Sequence, residues 1–400
     1  MERSLPEIRE LADHLIVVSD HAPVHSDAVN EWIMAYPRDE DAVLHAIRSA
    51  GIEQLDGVFS LGYENPRVIA RVAAEFDCPT LPYDVAATCA LKERRITTLA
   101  AAGVRVPRHR IISEHVQYDM DAVLEYVSLP CIVKPNDKTS SIGVSRVDAR
   151  TEAKDAFTLA LSSSASGTAI VEQYLSGTEH TVEGLAANDS VYVTGFSDRN
   201  YDQKHLYYPY VFEDGDTLPS RLPPDVVLQT NECVAAAVRA LGLRNTAYHA
   251  DVLISGGTIY VLEVTPRIAG SRFGTELVPL STGVRVLPNA VRLSLGRPLV
   301  PTELAPVLER PRAVVTRFLP SPGGFVTAVG SLTELMAGFP CLYDCQWEMP
   351  LRPGQTVPQY HDGKDMLASV IAVADSISDA QQCAASAIAA VPIEIQLPRC

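Results

Sequence analysis

The chain has 400 residues, of which 47% are hydrophobic, and its formal charge is −16 at pH 7. This length exceeds one ordinary hydrophobic core, so we expect a globular protein of two or three domains. The acidic excess argues against nucleic acid as a partner, because phosphate backbones are bound by clustered basic surfaces.

Residues 1–90 alternate between short apolar runs and helical patterns. The pattern predicts strands at 15–18 and 57–60 and helices at 41–50 and 66–76, the latter with Pro66 in its first turn. This βαβ order indicates a small parallel sheet in an N-terminal domain spanning 1–90. No GxGxxG sequence accompanies it, so a dinucleotide site has little support.

The middle of the chain predicts a second domain at 91–310, with a lid subdomain at 91–175 and a central subdomain at 176–310. A helix at 91–102 is followed by strands and turns between 130 and 196. A polar segment rich in tyrosine and proline, 200–224, leads to an amphipathic helix that ends at 241, and a hairpin follows at 246–264. The 200–209 part of the polar segment either covers a site or is a surface excursion.

The remaining residues, 311–400, predict a separate small α+β unit, because short strands and Gly/Pro-rich turns precede an alanine-rich helix at 380–390. The eight cysteines are scattered without a CxxC pair, which favours reduced, buried thiols over a disulfide framework or a zinc site. No apolar stretch approaches the roughly 20 residues that cross a bilayer, and the N-terminus lacks the apolar run of a signal peptide. We therefore expect a cytoplasmic protein with no membrane partner.

A first motif joins a strand to a small-residue loop. The apolar run at 130–133 leads to Lys134, and Ser140, Ser141 and Gly143 follow in the loop. Small residues let backbone N–H groups approach phosphate oxygens, and a lysine adds a point charge. An ordinary hairpin loop with an exposed lysine gives the same pattern, so the motif alone leaves both interpretations open.

A second motif ends an apolar strand at Glu172 and carries another carboxylate at Glu179, after a turn at Ser176-Gly177. Such a hinge offers backbone groups to an adenine edge and a carboxylate to ribose hydroxyls. A strand–turn–strand with solvated glutamates has the same sequence.

The hairpin at 246–264 is more informative. Side chains alternate along strands, so His249 shares a face with Asp251, and Glu263 shares one with Thr265. A turn centred on Gly257 places Asp251 opposite Glu263, where two carboxylates repel each other. A bridging Mg²⁺ removes that conflict, whereas a register slipped by one residue places both acids in solvent. We prefer the metal site.

With Lys92 before them, these motifs occur in the order and spacing typical of ATP-grasp enzymes. The chain resembles the carboxylate–amine ligases of that superfamily, particularly the L-amino-acid (dipeptide) ligases, up to about residue 296 and more loosely beyond. The resemblance implies an α/β and α+β ATP-grasp fold with a parallel βαβ pre-ATP-grasp domain at the N-terminus. The resemblance is also compatible with a homodimer.

The resemblance further implies a role for each motif. Arg267 would stabilise the transferring phosphoryl group and the tetrahedral oxyanion, since its planar fork matches oxyanions. Thr265 stands where the family usually has an asparagine ligand, so we expect altered binding of a second metal. The remaining implied ATP and Mg²⁺ (or Mn²⁺) contacts are the phosphate-binding Lys92 and Lys134; the closing loop with Lys138, Ser140, Ser141 and Gly143; the adenine-pocket residues Glu172, Gln173, Tyr174 and Leu175; the ribose ligand Glu179; and the metal ligands Asp251, Glu263 and Thr265.

The implied reaction activates a small-molecule carboxylate as an acyl phosphate and couples it to an amine, giving an amide, ADP and phosphate. The loop 268–273 would shape the acceptor pocket, with Ser271 and Arg272 near substrate, although a solvated arginine is the commoner state. His249 is either near substrate or a satisfied sheet histidine. The alternatives are a biotin-carboxylase-like or purine-pathway chemistry, and a non-catalytic ATP-binding protein.

Overall fold

The computed structural model describes residues 2–21 and 26–397. Its helices are α1 Leu5–Arg9, α2 Glu40–Ser49, α3 Pro66–Glu75, α4 Tyr83–Ala90, α5 Lys92–Ala101, α6 Met120–Val127, α7 Ala153–Ser163, α8 Pro224–Ala240, α9 Val278–Thr282, α10 Val286–Ser294, α11 Pro301–Leu304, α12 Leu332–Gly338 and α13 Ile377–Ala389. Its strands are β1 Ile16–Ser19, β2 Glu31–Met34, β3 His109–Ser113, β4 Cys131–Pro135, β5 Ser145–Val147, β6 Thr168–Gln173, β7 Thr178–Ala187, β8 Ser190–Arg199, β9 Asp216–Leu218, β10 Thr246–Ser255, β11 Thr258–Thr265, β12 Ala313–Pro320, β13 Pro322–Val329, β14 Leu342–Trp347, β15 Thr356–Gln359, β16 Met366–Ala374 and β17 Ile393–Gln396.

The N-terminal region contains the predicted parallel sheet, but its second strand was predicted wrongly. β1 pairs in parallel with β2, so that Val17 lies opposite Trp32. Residues 57–60 form no strand, and Val58 packs instead against the cluster that contains Ile33 and Val43. An apolar run has the same sequence signature whether it pairs with a neighbour or only packs, which explains the error.

The lid region is a four-stranded antiparallel sheet in the order β3-β6-β4-β5. Helices α6 and α7 cover it, with Leu124 and Phe157 buried in one cluster with Val133 and Val171. Helix α7 lies within the stretch for which strands and turns were predicted. The apolar spacing of Ala153, Phe157 and Ala160 buries one face of this helix, as the period of an α-helix requires.

The central sheet has eight strands in the order β11-β10-β7-β8-β9-β12-β16-β14. Neighbouring residues Leu185 and Ala186 of β7 belong to different clusters, because successive strand side chains point to opposite faces. α10 packs on the Leu185 face and α8 on the Ala186 face. Strand β9, which comes from the polar segment 200–224, links β8 to β12. The C-terminal strands therefore extend the central sheet and are not structurally separate from it, and the boundary at 310/311 stays a prediction.

The C-terminal region adds a three-stranded sheet, β15-β13-β17, and the helix α13, which packs on β12 and β16. Cys341 and Cys383 form a disulfide with a Cα–Cα distance of 6.5 Å, so the prediction that all cysteines are reduced is wrong for this pair. The two cysteines are 42 residues apart, and their contact leaves no mark in local spacing. In the part of the chain that the structure describes, no helix is long and apolar enough to cross a membrane.

Candidate active site

A cavity of about 620 Å³ lies between the lid sheet and the central sheet. The lid contributes Lys134 and Glu172, and the β10–β11 hairpin contributes Asp251 and Glu263. The side chains that the sequence motifs single out are far apart along the chain, and the fold brings most of them to this one cavity.

Two lysines face the cavity, each beside a carboxylate. Lys92, at the start of α5, donates from Nζ to the carbonyl oxygen of Lys138 at 2.5 Å and lies 3.5 Å from Glu263 Oε1. Lys134 Nζ lies 2.8 Å from Glu172 Oε1 on the neighbouring strand β6. Burial lowers the pKa of Lys92, and the Glu263 carboxylate opposes that shift. These contacts hold two cations where an anionic ligand can reach them.

The small-residue loop between β4 and β5 turns over the same cavity. Lys138, Ser140 and Ser141 line it, and both serines have positive φ, 56° and 57°. Gly143 does not line the cavity. Its φ is +70°, and an added Cβ would lie 2.8 Å from Ser163. The N–H of Gly363, from the C-terminal region, donates to the Ser140 carbonyl at 2.8 Å and holds the loop in place.

The predicted pairing of Asp251 with Glu263 is present, but the turn is centred between Gly256 and Gly257 and not on Gly257, because Ser255 pairs with Thr258. Asp251 is paired with Glu263, and His249 with Thr265, while a β-bulge follows Asp251. Arg199 at the end of β8 lies 2.8 Å from Asp251 through Nη1 and Oδ2. Facing carboxylates in this sheet are thus compensated by protein cations.

Glu263 has cations of its own. Arg95, one helical turn beyond Lys92 on α5, forms an ion pair with Glu263 and a second with Glu64 at 2.8 Å. Burial alone would raise the pKa of Glu263, but Lys92 and Arg95 outweigh it and lower that pKa to about 2. Both hairpin carboxylates are therefore anionic at neutral pH, since Arg199 and the neighbouring His249 hold the pKa of Asp251 below its usual range, although burial alone would raise it.

The donor set suits a hard divalent cation that also binds a ligand's phosphates. Asp251 Oδ1 and Thr265 Oγ1 are buried without a hydrogen-bond partner, although His249 Nε2 lies 3.2 Å from Asp251 Oδ1. Within the described residues, no group of three or more His, Cys, Asp or Glu side chains is arranged to hold a metal. Two carboxylates and a hydroxyl leave several coordination positions for phosphate oxygens and water, as Mg²⁺ sites commonly do.

Arg267 lies beside this pair of strands and lines the cavity. Its Nε is 3.4 Å from Glu64 Oε2, and Glu64 is almost fully buried as the shared partner of Arg95 and Arg267. The sequence motifs did not identify Glu64, Arg95 or Arg199. The helical spacing of Arg95 from Lys92 was an available signal, whereas Glu64 lies in a loop with no local pattern that distinguishes it.

The opposite end of the cavity is suited to a flat, partly apolar ligand group. The segment 172–175 lines it, together with Ile132, Leu253 and Leu262. Glu179 is partly buried there, and its Oε2 accepts a hydrogen bond from Tyr201 Oη at 2.8 Å. Burial raises the pKa of Glu179, while Arg199 and Tyr201 oppose the shift. Tyr201 belongs to the polar segment 200–209, which therefore lies at the cavity and is not a surface excursion.

The predicted substrate residues separate into two groups. His249 and Ser271 line the cavity. Arg272 does not line it, because its guanidinium forms ion pairs with Asp344 and, at 3.4 Å, with Glu276. The predicted contact between Arg272 and a substrate carboxylate is therefore replaced by two internal partners.

Comparison with known proteins agrees with this geometry. Residues 127–275 match the family model described as an ATP-grasp domain. The chain contains an ATP-grasp domain. Residues 317–396, which follow it, match L-amino acid ligase C-terminal domain 2. The predicted resemblance to ATP-grasp ligases of L-amino acids is thereby confirmed.

Among curated proteins, the D-alanine–D-alanine ligase of Cupriavidus taiwanensis is 31% identical over 186 residues, which are 45% of this chain and 54% of that protein. The chain spans about half the length of the curated relatives it matches first. Among solved structures, L-amino acid ligase from Bacillus licheniformis superposes with a TM-score of 0.80 at 21% identity, covering 100% of this chain and 96% of that one.

Biotin carboxylase from Campylobacter jejuni superposes with a TM-score of 0.67 at 16% identity, covering 98% of this chain and 89% of that one. Identities this low establish the shared fold and leave the chemistry open. The predicted ATP-grasp fold, of mixed α and β type, is confirmed along the chain.

Proposed function

We propose that the chain is an ATP-dependent carboxylate–amine ligase that joins amino acids through an acyl phosphate. The C-terminal match to an L-amino acid ligase domain and the D-alanine–D-alanine ligase relatives favour this activity over other ATP-grasp chemistries. The substrates would be a small carboxylic acid and a small amine, and the products an amide, ADP and phosphate.

The observation that carries the proposal is the placement of Arg267 in one cavity with two lysines and two anionic carboxylates. Lys92 and Lys134 supply positive charge for the ATP phosphates, while Asp251 and Glu263 are suited to the accompanying metal. Nucleotide binding alone does not require an oxyanion-binding arginine next to the metal ligands, whereas acyl transfer does.

ATP would lie along the long axis of this cavity. The segment 172–175 would hold the adenine, and Glu179 would accept hydrogen bonds from the ribose. The loop with Lys138, Ser140 and Ser141 would cover the triphosphate. We assign Mg²⁺, or Mn²⁺ in its place, to Asp251, Glu263 and Thr265, where it would neutralise charge on the β- and γ-phosphate oxygens.

The first chemical step is attack of the substrate carboxylate on the γ-phosphorus, with ADP as the leaving group. Lys92 and Lys134 orient the phosphates, and Arg267 stabilises the charge that spreads over the transferring phosphoryl oxygens. In the second step the amine attacks the acyl carbon, Arg267 stabilises the oxyanion, and phosphate leaves. His249 faces the cavity beside Asp251 and is our candidate to accept the amine proton.

An acyl phosphate hydrolyses in water, so the site needs a cover during the reaction. The polar segment 200–209 and the small-residue loop at 138–143 are placed to provide it. Shortly after these segments, Ser145 of β5 and Tyr210 form an isolated antiparallel bridge.

The test is phosphate release from ATP and Mg²⁺ with every pair of proteinogenic amino acids and simple amines, followed by mass spectrometry of the products. The proposal predicts ADP and a new amide in equal amounts with at least one pair. Glu263→Gln should abolish turnover. Glu75→Gln, which removes a carboxylate paired with Arg48 far from the cavity, should leave it unchanged.

The competing functions give different results in the same assay. ADP formation that requires bicarbonate would indicate a biotin-carboxylase-like or purine-pathway chemistry. Tight ATP binding without hydrolysis in any mixture, unchanged by Glu263→Gln, would indicate a non-catalytic ATP-binding protein. A cytoplasmic location and a homodimer remain parts of the proposal, to be tested by fractionation and by sedimentation.

A further inference from the structure

The loop at 268–273 forms one wall of the cavity next to Arg267. Ala269, Gly270, Ser271 and Phe273 line the cavity, and the two small side chains beside Gly270 leave room for a ligand. The position of this backbone sets the shape of the pocket on that side. What holds the loop therefore influences which substrate fits.

The backbone of this loop is unfavourable without external support. Ser271 and Arg272 both lie in the left-handed region, with φ of 51° and 61°. Residues other than glycine reach this region at a cost, and they remain there when surrounding contacts determine the conformation. Here the determining contacts are expected on the Arg272 side chain, because it points away from the cavity.

Arg272 belongs to a cluster of four charged side chains from three regions of the chain. Its guanidinium pairs with Asp344 and lies 3.4 Å from Glu276. Arg3, from the N-terminal segment, donates to Asp344 Oδ1 at 2.6 Å and lies 3.8 Å from Glu276. The cluster joins the N-terminus, the substrate-side loop and the C-terminal region at a single carboxylate.

Asp344 occupies an unusual place for an ionised residue. It lies on β14, at the edge of the central sheet, and only 3% of its surface is exposed. A β-bulge at Tyr343 interrupts the pairing with β16 directly before it. Bulges redirect side chains at sheet edges, and a buried carboxylate is tolerated only when it is paired. Burial raises the pKa of Asp344, but Arg3 and Arg272 outweigh it and lower that pKa.

We propose that Asp344, with Arg3, positions the loop 268–273 by clamping Arg272, and thereby sets the specificity of the acceptor pocket. Arg272 is then an anchor and not a substrate ligand, and the C-terminal region contributes to the pocket without touching it. Substrate specificity as the outcome rests on the proposed ligase activity, whereas loop anchoring does not.

The first test measures the loop itself by hydrogen–deuterium exchange with mass spectrometry on the full-length protein. Asp344→Asn should speed exchange in peptides covering 268–277 about tenfold or more, since a buried ion pair is lost. Glu303→Gln is the matched control, because Glu303 is likewise shared by two arginines, Arg285 and Arg292, away from the cavity. It should leave exchange in 268–277 at the wild-type rate.

A second variant keeps the proposal testable if Asp344→Asn fails to fold. Arg3 has a side chain that is 56% exposed, so Arg3→Gln removes one partner at little structural risk. It should increase loop exchange in the same peptides to a smaller extent. Unchanged exchange at 268–277 in a folded Asp344→Asn or Arg3→Gln protein would overturn the anchoring role.

The specificity part is tested with the substrate pair found in the ligase screen. Asp344→Asn should raise KM for the acceptor amine about ten- to a hundredfold, since small displacements near reacting groups have effects of that size, with KM for ATP within about twofold. The double variant Asp344→Asn/Arg272→Gln should lose no more than either single variant, because the two residues act as a unit. An equal rise in KM for ATP and for the amine in Asp344→Asn, or additive losses in the double variant, would overturn the specificity role. If the wild-type chain has no ligase activity, the exchange experiment still decides the anchoring claim.

Discussion

A buried carboxylate beneath the substrate-side loop gives a quantitative prediction. Glu183 on β7 is 0% exposed, and its Oε1 accepts a hydrogen bond from the Ala269 N–H at 2.6 Å. Its Oε2 has no hydrogen-bond partner, and Gly274 packs directly against it. The titratable groups around it are His249, Arg267 and Asp216.

The size of the effect on stability follows from the pKa of Glu183. Burial raises the pKa of Glu183 from 4.5 to about 7, although the Ala269 N–H, His249 and Arg267 oppose the shift. The ionised form is therefore disfavoured in the folded protein by roughly 3 kcal/mol, at about 1.4 kcal/mol for each pKa unit. Because the folded pKa is raised, this contribution to stability is fully present below pH 4.5 and is lost as the pH rises through about 7.

We predict that Glu183→Gln removes this part of the pH dependence. The free energy of unfolding, measured in urea at pH 5 and pH 8, should fall between the two by roughly 3 kcal/mol more in the wild type than in the variant. Asp214 and Asp216 titrate in both proteins, so most of their contribution cancels in the difference. If the introduced amide lacks hydrogen-bond partners, the variant's free energy of unfolding falls by about 1–3 kcal/mol at both pH values, and its change between pH 5 and pH 8 is unaffected. An equal change in the free energy of unfolding between pH 5 and pH 8 in the two proteins would refute the reasoning.

Three further predictions concern the cavity. Gly363→Ala should raise KM for ATP about tenfold, because an added Cβ would lie 3.1 Å from Ser140 and displace the loop, a size of effect expected for misplaced binding groups. Gly338→Ala, in open space, is the control. An unchanged KM in Gly363→Ala would contradict the role of the Gly363–Ser140 contact in holding the loop. Arg267→Lys should lower kcat by about 10²-fold or more with ATP affinity retained, since the lysine point charge lacks the planar fork of the guanidinium. Isothermal titration calorimetry measures the ATP affinity and steady-state kinetics measure kcat. Equal loss of both would indicate a binding role alone. Thr265→Asn should lower the Mg²⁺ concentration needed for half-maximal activity, and an unchanged Mg²⁺ titration would count against Thr265 as a ligand.

Much of the cavity could be predicted because its residues lie at the ends of strands with clear periodicity. The shared face of His249 and Asp251 follows from the two-residue alternation of side chains, whereas the pairing of Asp251 with Glu263 depends on the β-bulge after Asp251, which the sequence pattern does not indicate. The loop after Lys134 is recognisable from its small residues. These features are local, so one short stretch of sequence contains the whole signal.

The rest depends on contacts between distant segments. Glu64 reaches Arg267 across 203 positions and Arg3 reaches Asp344 across 341, and no spacing rule marks either pair. The sequence pattern gives no sign of Arg199 beside Asp251, so a metal is the only compensating charge that it suggests for the hairpin carboxylates. Arg272 was placed at the substrate for the same reason, since its buried partner lies in another region of the chain.

The most direct test of the account follows one oxygen atom. The substrate acid is supplied with ¹⁸O in its carboxylate, and the products of a single turnover with ATP and the amine are weighed by mass spectrometry. Transfer through an acyl phosphate predicts one ¹⁸O in the released phosphate for each amide formed, with ADP as the nucleotide. Label found in AMP, or phosphate released without label while amide accumulates, would contradict the proposed mechanism.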